Sequence, residues 1–358
     1  MRIGILTFHC AHNYGAVLQA YALVTYLRDN GYNAEIIDYR PKSIVGAHGT
    51  FPWSIFKRMR FKSKLKYLYH TLPYLRQRSI RAKSFQRFIG TLPLSTYKYD
   101  ENSNELNGYD VVICGSDQVW NPGITQGADP FYTHTIKSDA TFISYAASSE
   151  LKESYISTFK NIISRFDKIA VRETAFQQLL ESFNGDKTIY RVLDPVFLLA
   201  KHQWLEFATL PSQKDDYLLL YQVRRDDRVL DLARNYAEQN KLKIMELTAE
   251  ASLPSRTGRI RTASVEEFVG YFANAKCVLT TSFHGTAFAA IMGKPCKTVM
   301  FDTAGDGRAK DLLQVLGIKD GLYYINKGGK LRYDGSFTAS NLQAEIELSK
   351  QYLKDALT

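Results

Sequence analysis

The sequence predicts an α/β protein made of two parallel β-sheets, each covered by helices on both faces. Three observations carry this. Short runs rich in β-branched and aromatic residues alternate with longer helical patterns, and the runs are continuously apolar, as strands buried on both faces must be. The pattern restarts after a polar stretch at 210–216, which implies two units hinged near 195–215. A chain of 358 residues is long enough for both, and 45% hydrophobic with 23% charged residues excludes a disordered protein.

The run at 2–8 reads as a first buried strand and is too short for a signal peptide, since polar His9 and His12 follow it directly. A helical pattern over 14–30 comes next, with Asn13 placed as its N-cap. Strands are expected at 33–38, 109–114, 141–146 and 168–171. After the restart they are expected at 217–223, 242–247, 276–282 and 297–301, with helices at 226–239 and 264–273 between them. The domains predicted on this basis are Rossmann-like. One covers 1–200 with a basic helical insert at about 40–99, the other covers 210–335, and a C-terminal helix occupies 339–358.

The formal charge of +10 sits in one place. Residues 39–99 contain 14 Lys and Arg and no Asp or Glu, leaving 32 bases against 36 acids in the remainder. The middle of that segment, from Trp53 to Leu68, interleaves bases with large apolar groups. It suits peripheral contact with an anionic membrane, or equally a helical insert with a solvated basic face. No nucleic-acid motif accompanies it, so nucleic acid is not expected as a partner. No stretch reaches the roughly 20 apolar residues of a membrane span. The four cysteines, Cys10, Cys114, Cys277 and Cys296, lie in or beside apolar runs and form no C-x-x-C pair. They read as reduced, buried thiols of a cytoplasmic protein, with the inner face of the membrane as an alternative location.

In open α/β sheets ligands bind beyond the carboxyl ends of strands, and three polar sequences fall there. The first, His9 to Ala16, offers His12 and Asn13 beside a helix N-terminus. Two histidines without a nearby carboxylate argue against a metal, and none is expected. In the second, Gly115 to Pro122, Asp117, Gln118 and Asn121 offer hydrogen bonds to hydroxyls and Trp120 a flat apolar face, a combination suited to a sugar; an Asx-turn with a buried Trp is the alternative. The third, Ser282-Phe283-His284-Gly285-Thr286, opens a helix of small residues and is suited to a phosphate or carboxylate, with Gly285 allowing close approach; a capping turn with a core histidine is the alternative. Arg172 and Arg224, at strand ends, are stronger candidates for gripping an anion than Arg225 or Arg308.

Taken together, six stretches resemble the polysaccharide pyruvyltransferase family: Asn13 to Gln19, Gly115 to Pro122, Ser144 to Ser148, Val171-Arg172-Glu173, Leu193 to Leu199, and Ser282 to Thr286. They occur in order across most of the chain. Where the family often continues into Phe-Gly, this chain has Ser149-Glu150. The resemblance implies a two-domain, GT-B-like fold with the sheets facing an interdomain cleft. It also implies transfer of pyruvate from phosphoenolpyruvate to a sugar diol as a ketal, with phosphate released and no cofactor. The acceptor would be a polysaccharide or its lipid-linked precursor.

On that footing His284, Asp117 and Arg172 are the expected catalytic residues. Arg172, Arg224 and Ser282 through Thr286 would bind the donor, and His12, Asn13, Gln118, Trp120 and Asn121 the acceptor. The general acid stays open among His284, His9, His12 and Asp117. Two rival functions remain on the residues alone: a nucleotide-sugar glycosyltransferase, and a non-catalytic carbohydrate- or membrane-binding protein.

Overall fold

The computed structural model describes residues 1–45, 60, 63–64, 72–99, 105–126, 129–133, 136–183, 187–213, 215–248, 259–333 and 337–358. The chain divides into two compact units. Met1–Gly49, Phe88–Leu199 and Gln343–Thr358 form the first, and Thr50–Arg87 with Ala200–Leu342 the second.

The first unit has a parallel sheet in the order β3-β2-β1-β4-β5. Its strands are β1 (Arg2–Leu6), β2 (Asn33–Asp38), β3 (Leu94–Lys98), β4 (Val111–Cys114) and β5 (Thr141–Ser144). Two further parallel strands, β6 (Ile169–Val171) and β7 (Ile189–Arg191), continue it, because Ile143 bridges Lys168 and Ala147 bridges Val171. Central β4 is buried along its whole length, as a strand covered on both faces should be. The Tyr14–Asp29 helix follows β1, and Asn13 caps it as expected by accepting from the Ala16 N–H. Between the sheet and the helices Ile156–Arg165 and Thr174–Glu181 lies a core of Trp120, Phe131, Phe142, Phe159, Phe166 and Phe176. Burying one such ring contributes on the order of 1.5–3 kcal/mol.

The closing helix, Leu342–Ala356, docks on this unit. Tyr352 donates to the Ser144 carbonyl at 2.8 Å, Ser349 Oγ accepts from Leu193 N at 2.9 Å, and Arg191 pairs with Glu345.

The second unit is a six-stranded parallel sheet, β10-β9-β8-β11-β12-β13. Its strands are β8 (Tyr217–Gln222), β9 (Lys243–Thr248), β10 (Arg259–Ile260), β11 (Cys277–Thr280), β12 (Cys296–Met300) and β13 (Leu322–Tyr324). The helix at Asp227–Gln239 begins on Asp226, and Val265–Asn274 begins on a reciprocal Ser264/Glu267 capping box. Phe283–Met292 follows β11.

Both sheets are Rossmann-like, and in each the strand order reverses beside the first strand: between β1 and β4, and between β8 and β11. The turns that leave these strands are therefore where this fold places a ligand. Of the basic segment, 46–59, 61–62 and 65–71 lie outside the described residues, and the expected membrane-facing stretch falls almost entirely there. What is described is mainly the helix Leu75–Thr91, where buried Arg81 donates from Nη1 to the Thr248 carbonyl at 3.0 Å. Among the described residues no helix is long and apolar enough to cross a membrane.

Candidate functional site

Each unit carries a polar cluster at its strand-order reversal. In the first, the turns after β4, β5, β6 and β7 converge on one guanidinium. Gly115 leaves β4 at φ +126°, and a Cβ there would stand 2.2 Å from the Tyr145 carbonyl oxygen, so only glycine fits. Asp117 follows at φ +67°, a region Asp tolerates, and its Oδ1 accepts from the Gln118 N–H at 2.9 Å. The Asp117 carbonyl accepts from Ser148 N, tying the β4 turn to the β5 turn, and the Ala147 carbonyl accepts from Arg172 N, tying β5 to β6.

Arg172 then reaches three carboxylates. It donates from Nε to Glu173 Oε1 at 2.9 Å and from Nη1 to Asp194 Oδ2 at 2.8 Å, and its Nη2 lies 3.9 Å from Asp117 Oδ1. Ser148 Oγ donates to Glu173 Oε1 at 2.8 Å and Ser116 Oγ to Asp194 Oδ2 at 3.2 Å. Burial works against the guanidinium's charge, but Glu173, Asp194 and Asp117 outweigh it and raise its pKa further above the usual arginine value. Gln19 joins β1 to β4 below this cluster: Nε2 donates to Thr7 Oγ1 at 2.8 Å, and Oε1 accepts from Ser116 N at 3.4 Å. Asp117, with 16% of its side chain exposed, is the most accessible of the three carboxylates.

The acceptor residues expected from the sequence separate in this frame. Trp120 is fully buried, donates from Nε1 to the Phe131 carbonyl at 2.9 Å, and packs edge-on against Phe166 and Phe176. It has no face for a sugar, so the stacking role gives way to core packing. Asn121 is likewise buried; its Oδ1 caps the short helix Pro122–Thr125 by accepting from Gly123 N, and its Nδ2 donates to Gln118 Oε1 at 2.9 Å. Gln118 stays half-buried beside Asp117, while Asn13 is exposed and His12 half-buried at the start of the Tyr14–Asp29 helix. His9 is buried, with Nε2 3.1 Å from Asp38 Oδ1, and so braces β1 against β2.

In the second unit the turns after β8, β11 and β12 meet. Ser282 caps the Phe283–Met292 helix by accepting from Gly285 N at 3.3 Å, which puts His284 in the first turn. Gly285 serves packing, which corrects the expected ligand approach: a Cβ would stand 2.2 Å from Thr280 Oγ1 and 3.1 Å from the Tyr221 ring. Thr286 is also withdrawn from any ligand, its Oγ1 donating to the Ser282 carbonyl and sharing a 2.7 Å hydrogen bond with Thr298. Half-buried Phe283 and the His284 ring pack edge to face at 5.2 Å.

Arg224 is exposed just beyond β8 and nevertheless fixed. Its guanidinium lies 4.0 Å over the Phe301 ring and donates to Thr303 Oγ1 at 2.8 Å. Among the described residues no carboxylate lies within ion-pair distance of it, whereas Arg225 pairs with Asp227. Sequence reasoning missed Thr281, Phe301 and Thr303, because Thr281 sat inside an expected strand and the other two touch Arg224 only through the fold. Among the described residues no group of three His, Cys, Asp or Glu side chains is placed to hold a metal ion.

Residues 13–298 match the model of a protein family described as polysaccharide pyruvyl transferase. No curated protein matches the chain in sequence. Among solved structures, UDP-GlcNAc 2-epimerase of Methanocaldococcus jannaschii, in complex with UDP-GlcNAc and UDP, is similar over 98% of this chain and 100% of that one, with 13% identity and a TM-score of 0.51. The Neisseria meningitidis UDP-GlcNAc 2-epimerase covers 100% of both chains at 10% identity and a TM-score of 0.48. An E. coli heptosyltransferase with ADP covers 98% of this chain and 100% of its own, at 14% identity and a TM-score of 0.42. The likeness to the first is one of fold, and the fold of this chain is GT-B-like.

Proposed function

The chain belongs to the polysaccharide pyruvyl transferase family, and on that premise we propose that it moves pyruvate from phosphoenolpyruvate onto two hydroxyls of a carbohydrate, closing a cyclic ketal. The observation that supports this donor is Arg224. An exposed guanidinium, held in place and with no carboxylate within ion-pair distance among the described residues, suits an anionic group of the donor. It stands at the end of β8, next to β11, whose own end carries His284 in a helix first turn where the macrodipole favours negative charge.

The chemistry asks for few groups. A proton must reach the methylene carbon of phosphoenolpyruvate, making the methyl group and an electron-poor centre at C2. One sugar hydroxyl adds there, phosphate leaves with the C–O bond electrons, and the second hydroxyl closes the ring. Of the two hydroxyl protons released, one replaces the proton given to the methylene and the other departs with phosphate. We assign His284 to the phosphate and to proton delivery, since an imidazole N–H can both hydrogen-bond an anionic oxygen and pass on a proton. Arg224 holds the donor's anionic groups. Asp117 accepts a hydroxyl proton, and Arg172 keeps that carboxylate in place from within the buried cluster. No cofactor is called for by these steps.

Calorimetry with phosphoenolpyruvate on the whole chain tests the donor. Saturable binding weakened at least tenfold by both His284→Ala and Arg224→Ala is expected, followed by phosphate release when sugar diols or their lipid-linked forms are added. Binding of a nucleotide sugar with none of phosphoenolpyruvate would overturn the reading.

A further inference from the structure

Resting on the reading of Arg224 as the donor's anion grip, we infer that Phe301, Thr303 and Thr281 are positioning residues that set the Arg224 guanidinium in its binding geometry before any ligand arrives. An exposed arginine ordinarily samples many rotamers, and a ligand that captures it must immobilise it. Here the arginine is restrained at both ends.

At the backbone end, Thr281 Oγ1 accepts from Val223 N and from Arg224 N, each at 3.1 Å, and donates to the Arg224 carbonyl at 3.0 Å. A hydroxyl has one proton and two lone pairs, so this single side chain uses its full capacity on the turn that carries Arg224. At the guanidinium end, Phe301 supplies a flat face 4.0 Å from Cζ, within the range where a cation is attracted to the ring, and Thr303 Oγ1 takes one N–H at 2.8 Å. The platform is itself tied down. Asp306 Oδ2 accepts from Phe301 N at 2.7 Å and from Thr303 N at 3.0 Å, so both supports ride on one clamped turn after β12. Thr303 engages one of the five guanidinium N–H groups, and the stacking over Phe301 uses the face of the group rather than its donors. The remaining N–H groups of this exposed side chain are left for a phosphate or carboxylate, which suits two-point recognition.

The test measures binding and steady-state kinetics of phosphoenolpyruvate with the full chain. Thr303→Val removes the acceptor from an exposed position, so folding is not at stake. It should weaken binding and raise KM about three- to tenfold with kcat within twofold, and Thr303→Ser should restore both. Phe301→Leu should act in the same direction, with rescue by Phe301→Tyr, which keeps the ring. In an Arg224→Ala background neither substitution should weaken binding further. If Arg224→Ala weakens binding while Thr303→Val and Phe301→Leu bind as the wild type does, the positioning role is overturned and the donor reading stands. If Arg224→Ala itself binds phosphoenolpyruvate normally, the reading of Arg224 fails and this inference falls with it.

Discussion

Arg172 donates from Nη1 to Asp194 Oδ2 across 2.8 Å, with 3% of the arginine side chain and none of the aspartate exposed. A buried pair of this kind adds little net stability compared with an apolar pair of the same shape, yet breaking it leaves a charge stranded away from water. Arg172 faces Glu173 and Asp117 as well, so its removal strands more than one carboxylate. We expect Arg172→Ala to lose about 3–5 kcal/mol in urea unfolding. Arg172→Lys should lose less, because it keeps the charge and gives up the fork. A loss of activity in Arg172→Ala is therefore informative only beside its stability. An unfolding curve matching the wild type would show that the carboxylates are not held by this residue.

Asp38 gives the fold an acid-side dependence. Burial alone would raise its pKa, but hydrogen bonds from His9 and Arg40 outweigh burial and lower it from the usual 3.8 to about 2. The folded value lies below the unfolded one, so the unfolded chain binds more protons between them and acid favours unfolding. The contribution, about 2 kcal/mol, is present in full above roughly pH 4–5 and is lost as pH falls through about 2. Denaturant unfolding of wild type and Asp38→Asn should differ most near neutral pH and converge toward pH 2. A difference that stayed constant over that range would remove Asp38 from the acid response.

All four cysteines are free and buried. Burial pushes the thiol of Cys10 up to about 11 and those of Cys277 and Cys296 up to about 12, and it raises Cys114 as well. Since the thiolate is the reactive form, the native protein should give no rapid reaction with an aromatic disulfide reagent at pH 8, and four equivalents once unfolded in denaturant. A fast-reacting equivalent in the native state would mean that one of these sites opens locally.

The long, continuously apolar strands were legible in the sequence, and so was the restart that separates the two sheets. β3, β7, β10 and β13 were not. They are edge or near-edge strands of two to five residues, with partly exposed positions that break the apolar run. Helix starts were readable where a capping side chain precedes the periodic stretch, as at Asn13, Asp226 and Ser264. Residue type announced polar chemistry at 115–122 and 282–286 but could not say which side chains face a ligand. Gly285 shows why. A glycine at a helix start serves equally for approach of a ligand or of a strand, and only the 2.2 Å clearance to Thr280 Oγ1 decides for the strand. Phe301 and Thr303 carry no local signal, because their partner lies some 80 residues away in the chain.

Trp120 offers the sharpest separation of packing from recognition. Its indole N–H and the Cys114 thiol both point at the Phe131 carbonyl, at 2.9 and 3.2 Å, and the ring fills the space between Phe166 and Phe176. Trp120→Phe keeps an aromatic ring there, opens a small void and leaves that carbonyl to the weaker thiol donor. The expected cost is about 1–3 kcal/mol in stability, the usual range for a buried polar group that loses its main partner. The acceptor KM, measured well below the lowered unfolding temperature, should stay within twofold of wild type, because no part of the indole reaches solvent. Unchanged stability with a many-fold rise in acceptor KM would return Trp120 to the sugar site and require the 117–122 turn to open when the acceptor binds.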